Sequence, residues 1–232
     1  YSALGANITG NNNTAFGHSS LTANTAGTAN CAFGLQALNQ NTGSSNVAVG
    51  QNSLYLNTTA SNNTAVGHQA LDANTTGARN TALGHNALGA NTTASDNTAV
   101  GQASLSANTT GTRNVAVGRN TLTTQTTTDD NTAVGYEALA SNTTGTQNTA
   151  VGAYALDANT TDSYNSALGY QALSANTTGE KNTAVGSFAL RDSTTSDNNT
   201  ALGSSALLSN TIGHSNVAVG KDALLANTTG AD

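Results

Sequence analysis

The pattern Asn-x-Ala-(Val/Leu/Phe)-Gly occurs thirteen times, from Asn13-Thr14-Ala15-Phe16-Gly17 to Asn216-Val217-Ala218-Val219-Gly220. Successive glycines fall at 17, 34, 50, 67, 84, 101, 118, 135, 152, 169, 186, 203 and 220, so the period is seventeen residues with one sixteen-residue step between Gly34 and Gly50. A chain whose segments copy one another buries apolar surface by laying each copy on the next, which predicts a solenoid. Composition alone points the other way. With 36% hydrophobic and 8% charged residues and no Pro, Met or Trp, the chain has the profile of a low-complexity, disordered segment. Periodicity restores order, because each apolar position stacks on its own copy one coil along.

Counting from each Gly, five positions do not vary between coils: Asn four before, Ala two before, the Gly itself, Leu four after and Thr eight after. Thr64-Ala65-Val66 and its copies form a short alternating stretch that reads as a strand, with residues such as Thr64 and Val66 on one face and Ala65 on the other. Val, Leu or Phe before the Gly is expected to line the coil, and Leu71 and its copies to form a second core rung. Gly67 and its copies release the chain into a corner. A polar, turn-forming segment such as Ala73-Asn74-Thr75-Thr76-Gly77 closes the coil. Helix is not expected, since the apolar spacing does not follow 3.6 residues and Thr, Asn and Gly disfavour it.

The fold class expected is therefore all-β, a parallel β-solenoid or β-roll occupying residues 1–232 as a single domain. A short first coil, 1–12, precedes thirteen coils of about seventeen residues. At about 4.8 Å per coil, this gives a rod of roughly 60 Å. From Gly67 onward a two-coil period is superimposed: Gly77, Gly111, Gly145 and Gly179 alternate with Ala94, Thr128, Asp162 and Ser196. In the column before the invariant Asn, Arg79, Asp96, Arg113 and Asp130 alternate in sign, placing opposite charges one rung apart. Such exposed pairs contribute about 0.2 to 1 kcal/mol each.

One Leu and one Val per coil make a small apolar core for about seventeen ordered residues, so a single chain is not expected to suffice. The column Ala15, Ala32, Ala48 and onward is expected to face a neighbouring chain at close approach, with Ala70 and Ser104 extending that seam. On this reading Ala116→Glu or Ala133→Glu blocks assembly, while Gln102→Glu at a corner has little effect. Asn-Thr-Ala-Val-Gly followed by x-x-Ala-Leu resembles the head repeats of trimeric autotransporter adhesins. The longer version bearing Asn-Thr-Thr-Gly resembles repeats of phage and viral tail-fibre proteins. The resemblance covers essentially the whole chain. It implies a trimeric parallel β-roll on an extracellular or virion-surface fibre, with the residues before each Gly lining the coil and the Ala column facing neighbouring subunits.

Residues that could carry chemistry are few. The net charge is -6, and six Lys plus Arg form no basic stripe, so nucleic acid is not an expected partner. Cys31 excludes an intrachain disulfide and a cysteine-built zinc site, and is expected to be a buried thiol. His68 and His85 share a corner column in adjacent coils but lack further ligands at coordinating spacing, so no metal site and no cofactor are expected. Asp129, Asp130, Asp157 and Asp162 are scattered over turns, and no Ser has a His partner, so no catalytic residues are assigned. Asn57, Asn74, Asn91, Asn108, Asn142, Asn159, Asn176 and Asn227 lie in Asn-x-Thr sequons. Because Gln125 and Ser193 occupy the same column, an asparagine ladder running from coil to coil is the preferred reading over glycan attachment.

The function expected is a non-enzymatic fibre or adhesin module, a rigid shaft or a host-binding head, on a cell or virion surface. Its expected partners are its own copies as a homotrimer and a host-surface receptor or glycan, without membrane insertion, since no apolar run reaches transmembrane length. Two alternatives follow from the same residues. Uncapped terminal coils would let rods stack head to tail into a filament, or would mark a segment of a longer repeat tract. The file Thr25, Thr42, Thr58, Thr75 would suit an ice-binding face, although adjacent Thr75 and Thr76 point to opposite sides of an extended strand.

Overall fold

A computed structural model describes residues 2–231. The architecture is all-β, a parallel β-solenoid of thirteen three-residue strands, with no helix among the described residues. The chain separates into two compact units, 1–114 and 115–232. The first carries β1 (Thr14–Phe16), β2 (Cys31–Phe33), β3 (Val47–Val49), β4 (Thr64–Val66), β5 (Thr81–Leu83) and β6 (Thr98–Val100). The second carries β7 (Val115–Val117), β8 (Thr132–Val134), β9 (Thr149–Val151), β10 (Ser166–Leu168), β11 (Thr183–Val185), β12 (Thr200–Leu202) and β13 (Val217–Val219). Within each unit strands pair in sequence order, parallel and in register, so that Thr64 meets Thr81, Ala65 meets Ala82 and Val66 meets Leu83. The short first coil has no strand, yet it stacks on the second through Leu4 N to Ser20 O at 3.1 Å and Ala6 N to Thr22 O at 3.2 Å.

The two faces of the strands are the reverse of what the sequence suggested. Ala65, Ala82, Ala133 and Ala150 are completely buried inside the coil, whereas Phe16, Phe33, Leu83, Leu168 and Leu202 are 46% or more exposed. Ala70 and Ser104 also lie in the interior, so they form no intersubunit seam. Leu71, Leu88, Leu139 and their copies are fully buried, as expected. The physical reason is width. The buried Leu and Asn side chains already take up the narrow interior, which leaves room for only a methyl group on the strand. Cys31, in the outward column, is half-buried rather than buried. Each corner Gly has a positive φ, 138° at Gly67, where an added Cβ would lie 2.5 Å from the Gly84 carbonyl oxygen.

Three further positions per coil adopt left-handed φ without being glycine, for example Gln69 (56°), Leu71 (53°) and Arg79 (59°). None of these positive-φ residues is Val, Ile or Thr, in a chain otherwise rich in Thr and Val. The exclusion is steric, because a branched Cβ clashes most severely in this region. Gln69→Val is therefore expected to destabilise the 1–114 unit by about 1 to 3 kcal/mol, while Gln69→Gly is neutral or stabilising. Urea unfolding followed by circular dichroism reads the difference.

The interior is half polar, and two asparagine columns satisfy it. Asn74 donates through Nδ2 to Asn57 Oδ1 at 2.8 Å and to Gly77 O at 2.9 Å, and accepts from Asn91 Nδ2 at 2.9 Å. In the other column, Asn63 Nδ2 braces the coil to Gly77 O at 2.9 Å, and Asn63 Oδ1 accepts the backbone N–H of Asn80 at 2.9 Å. Each buried amide thus meets a partner one coil away, the condition under which buried polar groups stabilise.

The sixteen-residue coil shows what happens when the spacing slips. It lacks one residue of the turn, running Asn41-Thr42-Gly43 where its neighbours have Asn24-Thr25-Ala26-Gly27 and Asn57-Thr58-Thr59-Ala60. Asn41 Nδ2 bonds Gly43 O at 2.9 Å, and Asn24 Oδ1 is left buried without a partner. Inserting one Thr after Thr42 is expected to restore the Asn41-to-Asn24 bond and raise stability by about 1 to 2 kcal/mol, measurable as a higher unfolding midpoint.

Candidate functional site

No pocket opens among the described residues, and the features that stand out are on the faces and corners of the coils. The first such surface is the outward face of each sheet. It carries two files one residue apart from the buried alanines. In the 1–114 unit these are Thr64, Thr81 and Thr98 beside Val66, Leu83 and Val100; in the 115–232 unit they include Thr132 and Thr149 beside Val134 and Val151. In-register pairing repeats each side chain at the strand spacing, giving a striped face of methyls and hydroxyls. Phe16 and Phe33 stack on this face with centroids 4.8 Å apart.

The second surface is a corner of the 115–232 unit that the sequence reading missed. Tyr136, Tyr154, Tyr170 and Phe188 form a continuous ladder with successive ring centroids 5.3, 6.3 and 5.4 Å apart and near-perpendicular planes. Arg119 lies over the Tyr136 ring at 5.9 Å and Arg191 over the Phe188 ring at 5.8 Å. The ladder alternates between the first and second residues after the corner Gly, so no single column of the repeat reveals it. Reading the two corner columns together would have shown one aromatic in each of four consecutive coils.

Beside the ladder lies an acidic pair. Tyr136 is shifted above the usual tyrosine range, first by its hydrogen bond to Glu137, which also accepts from Asn120 at 3.3 Å. Burial pushes the Asp157 carboxyl up to about 6, with Glu137 adding to the rise, and Asp157 Oδ1 has no hydrogen-bond partner. A raised carboxyl pKa means the folded state holds the proton more tightly, so Asp157 disfavours folding increasingly as pH rises from about 4 to about 6. Asp157→Asn is expected to stabilise the unit at pH 7 by on the order of 1 kcal/mol, allowing for partial exposure, and to have little effect at pH 4. Thermal melts at the two pH values measure it.

The remaining candidates stand as follows. His68 and His85 are stacked with centroids 5.3 Å apart, and no group of three or more His, Cys, Asp or Glu side chains among the described residues could hold a metal ion. Asp157 and Glu137 are neighbours across adjacent coils. Asn57, Asn74, Asn91, Asn142, Asn159 and Asn176 are fully buried and linked in the ladder, so their amides are not presented as glycan acceptors. Thr58 and Thr75 donate their hydroxyls to the carbonyls of Thr75 and Thr92 at 2.9 and 3.0 Å, which makes the threonine file a structural ladder. Arg79 grips Asp96 at 2.6 and 2.9 Å, as the alternating charges anticipated, and this bond holds the Asp96 carboxyl below the usual range. No helix among the described residues is long and apolar enough to cross a membrane. No protein family, curated protein or solved structure matches the chain.

Proposed function

We propose that the chain is a non-enzymatic surface fibre or adhesin module that associates with two further copies through its sheet faces, on the outside of a cell or virion. The observation that carries this reading is the outward file of Val, Leu and Phe on each unit, an apolar stripe that a monomer leaves in water. The reading keeps the threefold arrangement suggested by the resemblance to adhesin and tail-fibre repeats but changes the surface that makes it. Three chains turning these faces toward a common axis would bury the stripes together, and the hydroxyl file beside them would supply polar partners at the rim. Sedimentation equilibrium is expected to give three chains. A double variant Val134→Glu and Val151→Glu is expected to give folded single chains. A wild-type chain that remains monomeric at high concentration would overturn the reading.

A second reading uses the same face. The outward hydroxyls of Thr64 and Thr81, repeating in register beside Val66 and Leu83, differ from the backbone-bound file and could order water for ice binding. A monomer that shapes ice crystals and shows thermal hysteresis would replace assembly with this activity.

A further inference from the structure

The corner ladder is hard to explain as packing alone. Tyr136 and Tyr170 remain 37% and 46% exposed, whereas none of the buried side chains among the described residues is aromatic. We propose that the ladder Tyr136, Tyr154, Tyr170 and Phe188 is a binding platform for an extended, neutral, β-linked polysaccharide. The inference supplies a ligand class for the adhesin reading and rests on that reading for its setting, but it does not need the three-chain assembly.

Three features select this ligand. First, aromatic faces carry negative charge density and attract the weakly positive C–H faces of pyranose rings, so a run of partly exposed rings suits a sugar chain with flat apolar faces. Second, the spacing fits. Tyr136 and Tyr170 occupy the same column two coils apart, as do Tyr154 and Phe188, so each kind of ring recurs at roughly 9.6 Å along the stack. That length is close to the disaccharide repeat of an extended β-1,4-linked glycan, whose alternate residues are flipped. Because successive planes are near-perpendicular, it is alternate rings, Tyr136 with Tyr170, that would engage the same face of the chain. An α-linked chain, which coils, would leave the ladder after one or two rings.

Third, the polar groups beside the rings suit hydroxyls rather than a charged chain. Asn120, Glu137 and Gln171, in the same corner column as Tyr154 and Phe188, bring acceptors and donors to this corner. Arg119 and Arg191 cap the ends, and Arg191 is already paired with Asp192 at 2.7 Å. With Glu137, Asp157 and Asp192 set against the two arginines, the platform carries a small negative excess and does not recruit a polyanion.

The test is calorimetric titration of the protein with cellohexaose and chitohexaose, with maltohexaose as the α-linked control. Binding to at least one β-linked hexaose is expected, tighter than to its disaccharide by about tenfold or more as further rings are engaged. Tyr136→Ala with Tyr170→Ala is expected to weaken binding by about tenfold or more. Tyr164→Ala, away from the ladder, is expected to leave it unchanged. Should the double variant fold poorly, ring-proton shifts in the wild-type protein decide: on titration they are expected at Tyr136, Tyr154, Tyr170 and Phe188. Failure of both β-linked hexaoses to bind at millimolar concentration would overturn the proposal, as would equal binding of maltohexaose, full binding by the folded double variant, or shifts confined to other aromatics. Repeating the titration on Val134→Glu with Val151→Glu separates the two readings. Sugar binding by that monomer leaves the platform standing whatever the wild-type assembly proves to be, and an assembled fibre that binds no sugar refutes only the platform.

Discussion

Replacing Ala133 by Glu is expected to unfold the 115–232 unit, whereas the same change at its neighbour Val134 leaves it folded. Ala133 is fully buried, stacked in register with Ala150 on the next strand. A carboxylate there meets neither solvent nor a spare donor, and its bulk has no cavity to enter. The expected cost exceeds about 4 kcal/mol, enough to abolish a cooperative transition in a unit of ordinary stability. Val134 points outward, so Glu at that position is expected to cost about 1 kcal/mol in an isolated chain. Circular dichroism with urea titration distinguishes the two, and the opposite ranking would mean that the strand faces are assigned the wrong way round. Assembly and folding thereby separate: the alanine column is a folding determinant, and the valine column is the one through which copies would meet.

The second large effect is expected from the asparagine ladder. Asn74→Ala removes a donor to Asn57 Oδ1 and an acceptor for Asn91 Nδ2, both inside the coil. Leaving two buried polar groups unpaired, with a small void, is expected to cost about 3 to 5 kcal/mol. The effect should not add. Once Asn74 is gone, Asn91→Ala removes less than it does in the intact chain, because the two share a bond. A double-mutant cycle in guanidinium measures the coupling, and strict additivity would show that the ladder is a set of independent contacts. Position 125 already shows the permitted latitude: Gln125 bonds Thr128 O at 3.0 Å but accepts from Asn142 only at 3.4 Å.

The period, the three-residue strands, the corner glycines, the leucine rung and the asparagine ladder were legible in the sequence because each depends on spacing alone. The strand faces were not read correctly. An alternation only three residues long fits either orientation, and assigning the larger side chain to the interior was the wrong choice. A better signal was available: the inner position is always Ala, while the outer one varies among Val, Leu and Phe. A packed interior cannot absorb that change of volume, so the varying column belongs outside. The left-handed positions were equally readable from the absence of Val, Ile and Thr. The aromatic corner escaped because its members step between two columns, a relation visible only once the coils are laid side by side in space.

The direction of the internal asparagine bonds has a consequence for how the chain is made. Asn57 donates to Asn41, Asn74 to Asn57 and Asn91 to Asn74; in the other column, Asn80 N donates to Asn63 Oδ1 and Asn97 N to Asn80 Oδ1. Every one of these donors belongs to the later coil and every acceptor to the earlier one. During synthesis from the N-terminus, a newly released coil therefore arrives with its amide protons facing acceptors already in place. Each finished coil serves as the mould for its successor, so folding can keep pace with translation one repeat at a time. The asparagine columns thus have a polarity of their own, opposite to that of the threonine file, whose hydroxyls donate from the earlier coil to the later one.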